Sequence, residues 1–186
     1  MPSVRVTGTF SRPADNTAYA TGDIIANSGT AALVVPLTFY MPTNAGEITA
    51  CSAVVTPASS NLVITALDFA LLLFRPVTSI PFADAGYPAD NTAMAITAAA
   101  FREHVVKFTF ANGAWTNPAG ALTAGATGYQ TVMPNGSRPR VPYTTSSGNP
   151  ESAQPLTLIG VVQCLGSWTP LGVANRFDLS LDVTIS

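Results

Sequence analysis

The last ten residues of the chain alternate between apolar and polar side chains. The apolar positions are Phe177, Leu179, Leu181, Val183 and Ile185, and each is followed by an acidic or hydroxyl-bearing residue. Successive side chains of a strand point to opposite faces of its sheet. The pattern therefore predicts a half-buried antiparallel strand, with its apolar face inward and its polar face toward water.

Similar strand signals recur along most of the chain. Apolar, β-branched and aromatic runs occupy residues 4–10, 33–40, 47–55, 67–74, 105–110, 129–133 and 156–165. Segments rich in Pro, Gly, Asn and Ser separate these runs and are typical of turns. Pro36 indicates an edge strand or a bulge in the second run, and residues 92–104 could form one short helix. The sequence predicts a single all-β domain over residues 1–186, an antiparallel β-sandwich or jelly roll.

Residues 111–155 differ from the rest because they are rich in Gly, Pro, Ser, Thr, Asn and Ala. Loops longer than about 12–15 residues without secondary structure are uncommon in compact domains, and many of them are functional. We expect a long loop or arm that lies over a neighbouring subunit, although a mobile surface loop is the alternative. The predicted partner contacts are Trp115, Tyr129, Met133, Arg138, Arg140 and Tyr143.

The charge content of the chain is low and restricts the possible partners. Only 10% of the 186 residues are charged, against about 25% in typical soluble domains. Such a surface suits a molecule that neighbouring chains partly cover. The eight Lys and Arg residues are scattered, and the net charge is −2, so no basic stripe for nucleic acid is present.

The hydrophobic runs are too short to predict a membrane-spanning helix. The most hydrophobic run, residues 66–74, is interrupted by Asp68 and falls short of the roughly 20 residues that such a helix needs. The N-terminus has no apolar segment typical of a secretory signal. We therefore expect a chain that is made in a host cytoplasm and does not bind a membrane.

Candidate catalytic and metal-binding residues are few. His104 is the only histidine and lies beside Arg102 and Glu103, where a solvated or capping role is more common than a catalytic one. Cys51 and Cys164 lie in apolar segments and, since no secretory signal is seen, are predicted to be two buried thiols, with a disulfide as the alternative. Two Cys and one distant His do not make a usual zinc site. We expect no enzyme activity, no cofactor and no metal. Paired carboxylates of a polysaccharide hydrolase remain an alternative.

The hexapeptide Pro-Ala-Asp-Asn-Thr-Ala occurs twice, at residues 13–18 and 88–93. The simpler interpretation is one kind of turn used twice, in which Asp and Asn side chains bond to their own backbone. A duplicated module is the alternative, but the flanking sequences do not match.

Residues 10–26 read FSRPADNTAYATGDIIA. This segment resembles one common near the start of small virion proteins of tailed bacteriophages, with the pattern aromatic-x-Arg-Pro-Ala-Asp-x-Thr-Ala-Tyr-Ala-x-Gly-Asp. The run at residues 67–76, followed by residues 89–93, fits the same type less specifically. The resemblance implies a capsid decoration (cement) protein with a jelly-roll or related β fold. It also implies a homotrimer on the capsid surface of the virion, bound to the major capsid protein.

Two other interpretations remain open at this stage. One is a head fibre or a tail or baseplate accessory protein, which differs from a decoration protein in its location. The other is a carbohydrate-binding β-sandwich module, with Trp115 or Trp168 as the platform on which a sugar ring stacks.

Overall fold

The computed structural model describes residues 2–43, 45–57, 67–75, 87–95, 98–117, 127–133, 141–144, 156–170 and 172–185. The strands are β1 (Ser3–Ser11), β2 (Ile24–Ile25), β3 (Leu37–Tyr40), β4 (Ala45–Pro57), β5 (Phe69–Phe74), β6 (His104–Phe110), β7 (Gly128–Val132), β8 (Val141–Thr144), β9 (Thr157–Cys164) and β10 (Asn175–Ile185). In these stretches the helical elements are a 3-10 turn, Ala31–Leu33, and the short helix α1 (Ala98–Arg102). Neither is long and apolar enough to cross a membrane. The predicted all-β class is confirmed.

The strands form two antiparallel five-stranded sheets. The first sheet has the order β1-β10-β4-β7, with β8 also paired to β4, and the second has the order β2-β9-β5-β6, with β3 also paired to β9. β2 and β3 pair with different parts of β9, and β7 and β8 with different parts of β4, so each pair occupies one position. If each such pair is counted as one strand, the described part of the chain has eight strand positions in sequence order. They are arranged 1-8-3-6 in the first sheet and 2-7-4-5 in the second. This arrangement is a jelly roll, as the sequence predicted.

The main core lies between the inner faces of the two sheets. Four alternating apolar residues of β10, Phe177, Leu179, Leu181 and Val183, point into it and are fully buried. Phe69 lies among three other rings, with centroid distances of 4.7 Å to Phe110, 5.8 Å to Trp115 and 5.7 Å to Phe177. Aromatic contacts of this kind add to the stabilisation that burial itself provides.

A second apolar cluster covers the outer face of the second sheet. It contains Ile24, Ala26, Ala70, Leu72, Phe74, Tyr87 and Val161. Because both of its faces are covered, β5 is buried along its whole length, which explains its uninterrupted apolar sequence. The outer face of the first sheet has no such cover among the described residues and carries mainly polar side chains.

Two expectations need correction. The predicted strand at 33–40 is shorter, because residues 31–33 form the 3-10 turn and β3 begins only after Pro36, which has no N–H to donate. The described parts of 111–155 belong largely to the sandwich, since β7 and β8 both pair with β4. The remainder of that segment lies outside the described residues, and an arm there stays a prediction.

The two sheets approach closely at one corner, where β1 of the first sheet runs over β3 of the second. A Cβ atom added at Gly8 would lie 2.7 Å from Leu37 Cδ1 and 3.1 Å from the carbonyl oxygen of Thr38. Gly8 therefore permits the close approach. The Cα–Cβ direction at Gly8, which is roughly perpendicular to the first sheet, points at β3. β3 therefore lies under the inner face of β1 and is not its neighbour within the sheet.

Leu181→Asp is expected to prevent folding. The substitution places an unpaired carboxylate in the core, at a cost that approaches the total stability of about 5–15 kcal/mol of a typical domain. The matched control is Thr56→Asp, which adds the same side chain at an exposed position opposite Arg176. Circular dichroism and urea unfolding should show an unfolded first variant and a native-like control. A folded Leu181→Asp chain would contradict this description of the core.

Candidate functional site

Four exposed apolar side chains lie on β1, on β3 and on the segment that leads into β3, which are the elements that meet near Gly8. Val4 is 38% exposed, Leu33 and Val35 are each 68% exposed, and Tyr40 is 73% exposed. These four residues are called the apolar corner below. Phe101 and Met133 are the other large apolar side chains exposed in the described part of the chain. Exposed apolar side chains on neighbouring elements are typical of protein–protein contact surfaces.

A small recess joins the two sides of this corner. Phe10 from β1 lines it together with Val34, Val35 and Leu37 from the segment that leads into β3. Its walls are mainly apolar, and it is too small for a cofactor. The recess therefore extends the contact surface and is not a candidate active site.

The segment that carries Leu33 and Val35 is fixed by short-range hydrogen bonds. Asn27 Oδ1 accepts a hydrogen bond of 3.0 Å from the backbone N–H of Val35, and Ser28 Oγ accepts one of 3.1 Å from the N–H of Thr30. Side chains that satisfy backbone groups in this way hold an irregular segment in one conformation. The exposed apolar residues are thus presented on a defined backbone.

The guanidinium of Arg12 lies immediately after β1 and is almost fully buried, with 1% exposure. Its Nε donates to Tyr19 Oη at 3.1 Å, Nη1 donates to the Val173 carbonyl and Asn175 Oδ1, and Nη2 donates to the carbonyl and Oδ1 of Asp15. Arginine has five N–H donors, and each of them has a partner here. The charge is therefore buried without an unsatisfied donor.

Tyr19 connects this arginine to the segment of the apolar corner. Its hydroxyl donates to Asp90 Oδ2 at 2.6 Å, and Asp90 Oδ1 accepts a hydrogen bond of 2.7 Å from the backbone N–H of Ala26. Burial raises the pKa of Asp90 above its usual range, and the hydrogen bonds from Tyr19 and Ala26 oppose that effect. The chain of contacts links the end of β1, the start of β10 and the residues that precede the 3-10 turn.

This network explains the motif at residues 10–26 in physical terms. Arg12, Asp15 and Tyr19 are used inside the subunit, where they hold neighbouring segments together. The guanidinium also lies 5.6 Å from the ring of Trp168 and 5.7 Å from that of Tyr19. The motif therefore stabilises the scaffold, and its polar residues do not form a ligand site.

The two copies of the repeated hexapeptide use their aspartates differently. Asp15 accepts a hydrogen bond from the N–H of Thr17 within its own turn, as predicted. Asp90 is buried and bonds to the distant Tyr19 and Ala26, so the expectation that it only caps its own backbone is wrong. The cause is location, because the second turn is packed against the covered face of the second sheet.

The outer face of the first sheet is polar, with little unbalanced charge. Thr7 and Ser180 hydroxyls lie 3.0 Å apart, and those of Ser52 and Thr131 lie 2.9 Å apart, on one row across the strands. Ion pairs between Arg5 and Asp182 and between Arg176 and Asp178 neutralise charges on the same face. Exposed pairs contribute little to stability, but they leave a nearly neutral surface.

The predicted partner contacts that the structure describes lie in different parts of the fold. Trp115 is buried, and its Nε1 donates to the Leu67 carbonyl at 2.9 Å, so it is part of the core and not a contact residue. Tyr129 lies on the polar outer face, where its hydroxyl bonds to Thr131, and Met133 is exposed just beyond β7. Tyr143 belongs to β8, in which its backbone pairs with Gly46. Arg138 and Arg140 lie outside the described residues.

The proposed sugar platform is not available either. Trp168 is 3% exposed and stacks on Tyr19, with 5.3 Å between ring centroids, and Trp115 is 4% exposed. Both indoles were predicted as candidates because sequence alone does not distinguish a core tryptophan from an exposed one. The apolar corner was missed for a related reason, since residues 33–40 have the composition of an ordinary strand.

The residues considered for catalysis and metal binding are separated. Cys51 and Cys164 are buried free thiols, as predicted, and burial raises the pKa of Cys164 to about 11. The described residues contain no group of three or more His, Cys, Asp or Glu side chains able to hold a metal ion. His104 is partly buried against Phe74, so the expected solvated position is wrong.

Tyr19→Phe should lower the free energy of unfolding by about 1–3 kcal/mol or more, because it leaves Arg12 Nε and a carboxylate oxygen of Asp90 without a partner. Tyr40→Phe removes the same hydroxyl from a 73% exposed residue and should have almost no effect. Urea unfolding of both variants measures the difference. Equal free energies of unfolding for the two variants would show that the buried hydroxyl of Tyr19 does not connect Arg12 to Asp90.

His104 should make a contribution to stability that is lost as the pH decreases below about 6.5, the usual pKa of histidine. Burial lowers the pKa of His104, and the nearby Lys107 lowers it further, so the unfolded state binds a proton more readily than the folded state. Its stabilising contribution is present above that pH and is lost as the pH falls. The Arg75–Glu103 ion pair lies beside this histidine in the sequence.

His104→Gln removes this titration, and the two proteins can be compared by urea unfolding between pH 7 and pH 5. The wild-type chain should lose more free energy of unfolding over this range than the variant. If the free energies of unfolding of the two proteins changed equally with pH, His104 would not be the source of the pH dependence.

No protein-family model matches the sequence, and no curated protein matches it. Among solved structures, the decameric BFDV capsid protein is 9% identical, with 98% of this chain and 96% of that chain covered and a TM-score of 0.31. A chain from sacbrood virus of honeybee is 10% identical, with coverages of 99% and 72% and a TM-score of 0.33. The 60-mer BFDV capsid protein is 12% identical, with coverages of 98% and 91% and a TM-score of 0.31. Identities and TM-scores this low assign no family, and the jelly-roll description rests on the strand order of this chain.

Proposed function

We propose that this chain is a non-enzymatic structural protein of a virion, which decorates and stabilises a phage capsid through protein–protein contacts. Its proposed place is the capsid surface, and its proposed partners are the major capsid protein and further copies of itself. Jelly rolls occur in viral capsid proteins, in lectins and in cupins, so the fold alone does not select among these functions.

The observation that carries the proposal is the apolar corner. Leu33, Val35 and Tyr40 expose 68–73% of their surface on a chain with few charged residues. Proteins that remain free in solution usually rely on surface charge for solubility and avoid such apolar patches. The Arg12–Tyr19–Asp90 contacts fix the segment that carries two of these residues, as a contact surface requires.

The phage-like motif gives the proposal its biological setting. It suggests a decoration protein that assembles as a homotrimer, whereas a head fibre or a tail or baseplate accessory protein of the same virion would use the same scaffold elsewhere. The carbohydrate-binding alternative has lost its specific support, because Trp115 and Trp168 are both buried. We therefore retain the structural function.

A binding experiment with parent capsids that lack this chain tests the proposal. The purified protein should sediment with the capsids and raise the temperature at which they disassemble. The triple substitution Leu33→Ser, Val35→Ser and Tyr40→Ser removes exposed apolar area and should reduce binding by at least tenfold, since each 1.4 kcal/mol corresponds to about tenfold.

Thr9→Ser, Thr56→Ser and Thr131→Ser together form the control, because they make the same number of changes at exposed positions on the outer face of the first sheet. This variant should bind like the wild type. Absence of wild-type sedimentation with the capsids would refute the decoration role. Unchanged binding of the folded triple variant would refute the assignment of the contact surface.

A further inference from the structure

β1 is a long sheet edge that no described strand covers. It pairs with β10 on one side, and the register runs without a shift from Ser3 opposite Thr184 to Ser11 opposite Arg176. β3 lies beneath β1, as the contacts at Gly8 show, so it does not occupy the lateral edge. An open edge presents unpaired N–H and C=O groups that can bind another strand.

The hydrogen bonds at the two ends of β1 show which residues face outward. The N–H of Arg12 donates to the Asn175 carbonyl at 3.0 Å, and the N–H of Ile185 donates to the Pro2 carbonyl at 3.1 Å. Both contacts continue the register of β1 and β10. The backbone N–H and C=O groups of the even-numbered residues of β1 therefore point toward β10. Backbone groups alternate along an antiparallel strand. The N–H and C=O groups of the odd-numbered residues therefore point away from the sheet.

The other described edges have features that discourage strand addition, whereas β1 does not. β2 has two residues, β3 and β8 have four each, and β7 has five. β6 carries Lys107 and faces a bulge between Leu73 and Phe74. Short edges, lysines and bulges are common ways to prevent edge-to-edge pairing. β1 has nine residues and contains no lysine, proline or register shift.

We infer that β1 binds β1 of a second copy of this chain, in an antiparallel pairing centred on Thr7. This inference rests on the self-association included in the proposed function and adds a twofold contact to it, which joins either two single subunits or two trimers. The pairing joins the first sheets of two subunits into one continuous sheet around a twofold axis. It is a form of strand addition in which main-chain hydrogen bonds provide the contact.

The centring on Thr7 follows from the backbone. Pairing about Thr7 places Ser3 opposite Ser11 and Arg5 opposite Thr9, so odd-numbered residues meet odd-numbered residues. Every outward-facing N–H and C=O group of the strand then finds a partner. A shift of one residue would instead bring outward-facing groups of one copy against inward-facing groups of the other.

The side chains also fit this register. On the inner face, the exposed Val4 of one copy lies opposite Phe10 of the other, and the buried Val6 lies opposite Gly8. On the outer face, Arg5 meets the neutral Thr9 and not a second Arg5. Thr9 is itself opposite Asp178 on β10, which places a carboxylate on the next strand from that arginine. This register therefore brings no like charges directly opposite each other and pairs apolar positions with apolar ones.

Thr7→Pro tests the inference, because Thr7 N–H points outward and a proline there leaves the pairing with β10 intact. The mass of the variant measured by light scattering should be half that of the wild type. A wild-type dimer would become a monomer, and a wild-type hexamer built from two trimers would become a trimer. The association should weaken by at least tenfold. Thr7→Val is the matched control, since it keeps the N–H group and removes only the hydroxyl that contacts Ser180. Its mass should equal that of the wild type.

Amide hydrogen exchange of the wild-type protein gives a second test that needs no variant. Amides of Ser3, Arg5, Thr7, Thr9 and Ser11 should exchange slowly in the assembly and at least tenfold faster after dilution to the single subunit. Even-numbered amides of β1 should remain protected in both. Rapid exchange of the odd-numbered amides in an assembly, including one that binds capsids, would overturn the inference but leave self-association standing. A wild-type chain that stays monomeric at all concentrations would overturn both.

Discussion

The structure depends on the burial of one apolar face of each sheet against the other. The alternation along β10 places Phe177, Leu179, Leu181 and Val183 inward, while its polar residues form the outer face with β1 and β4. Among the described residues, the second sheet is covered on both faces and the first on one, which gives a protected side and a polar side. Four of the large apolar side chains exposed in the same residues lie on β1, on β3 or on the segment that leads into β3.

The buried Arg12 gives this arrangement a fixed geometry. A guanidinium with all five donors satisfied joins the end of β1 to the start of β10, and Tyr19 and Asp90 extend the link to the segment before β3. Buried charged groups cost free energy to desolvate, and hydrophobic replacements are often as stable. We interpret the network as a device that fixes the conformation of an irregular segment, which hydrophobic burial alone would leave less defined.

Much of the fold could be predicted from the sequence because strand periodicity is a local property. The C-terminal alternation and the runs at 47–55 and 105–110 correspond to β10, β4 and β6. The site was harder to predict, since exposure depends on contacts between distant residues. Trp115 looks like a surface anchor in a Gly- and Pro-rich segment but is buried beside Phe69. Residues 33–36 look like part of a strand, but Leu33 ends a 3-10 turn and β3 begins only after Pro36. Asp90 occupies the same hexapeptide position as Asp15, and only the tertiary structure distinguishes their partners.

The central claim is that this chain acts as a rigid β scaffold whose surface binds other chains in a virion. A cryo-electron microscopy map of the parent particle at side-chain resolution tests it most directly. The account predicts jelly-roll density on the outside of the capsid lattice, with Leu33, Val35 and Tyr40 in contact with a neighbouring subunit. A complete map of the head and tail without density for this chain would contradict it.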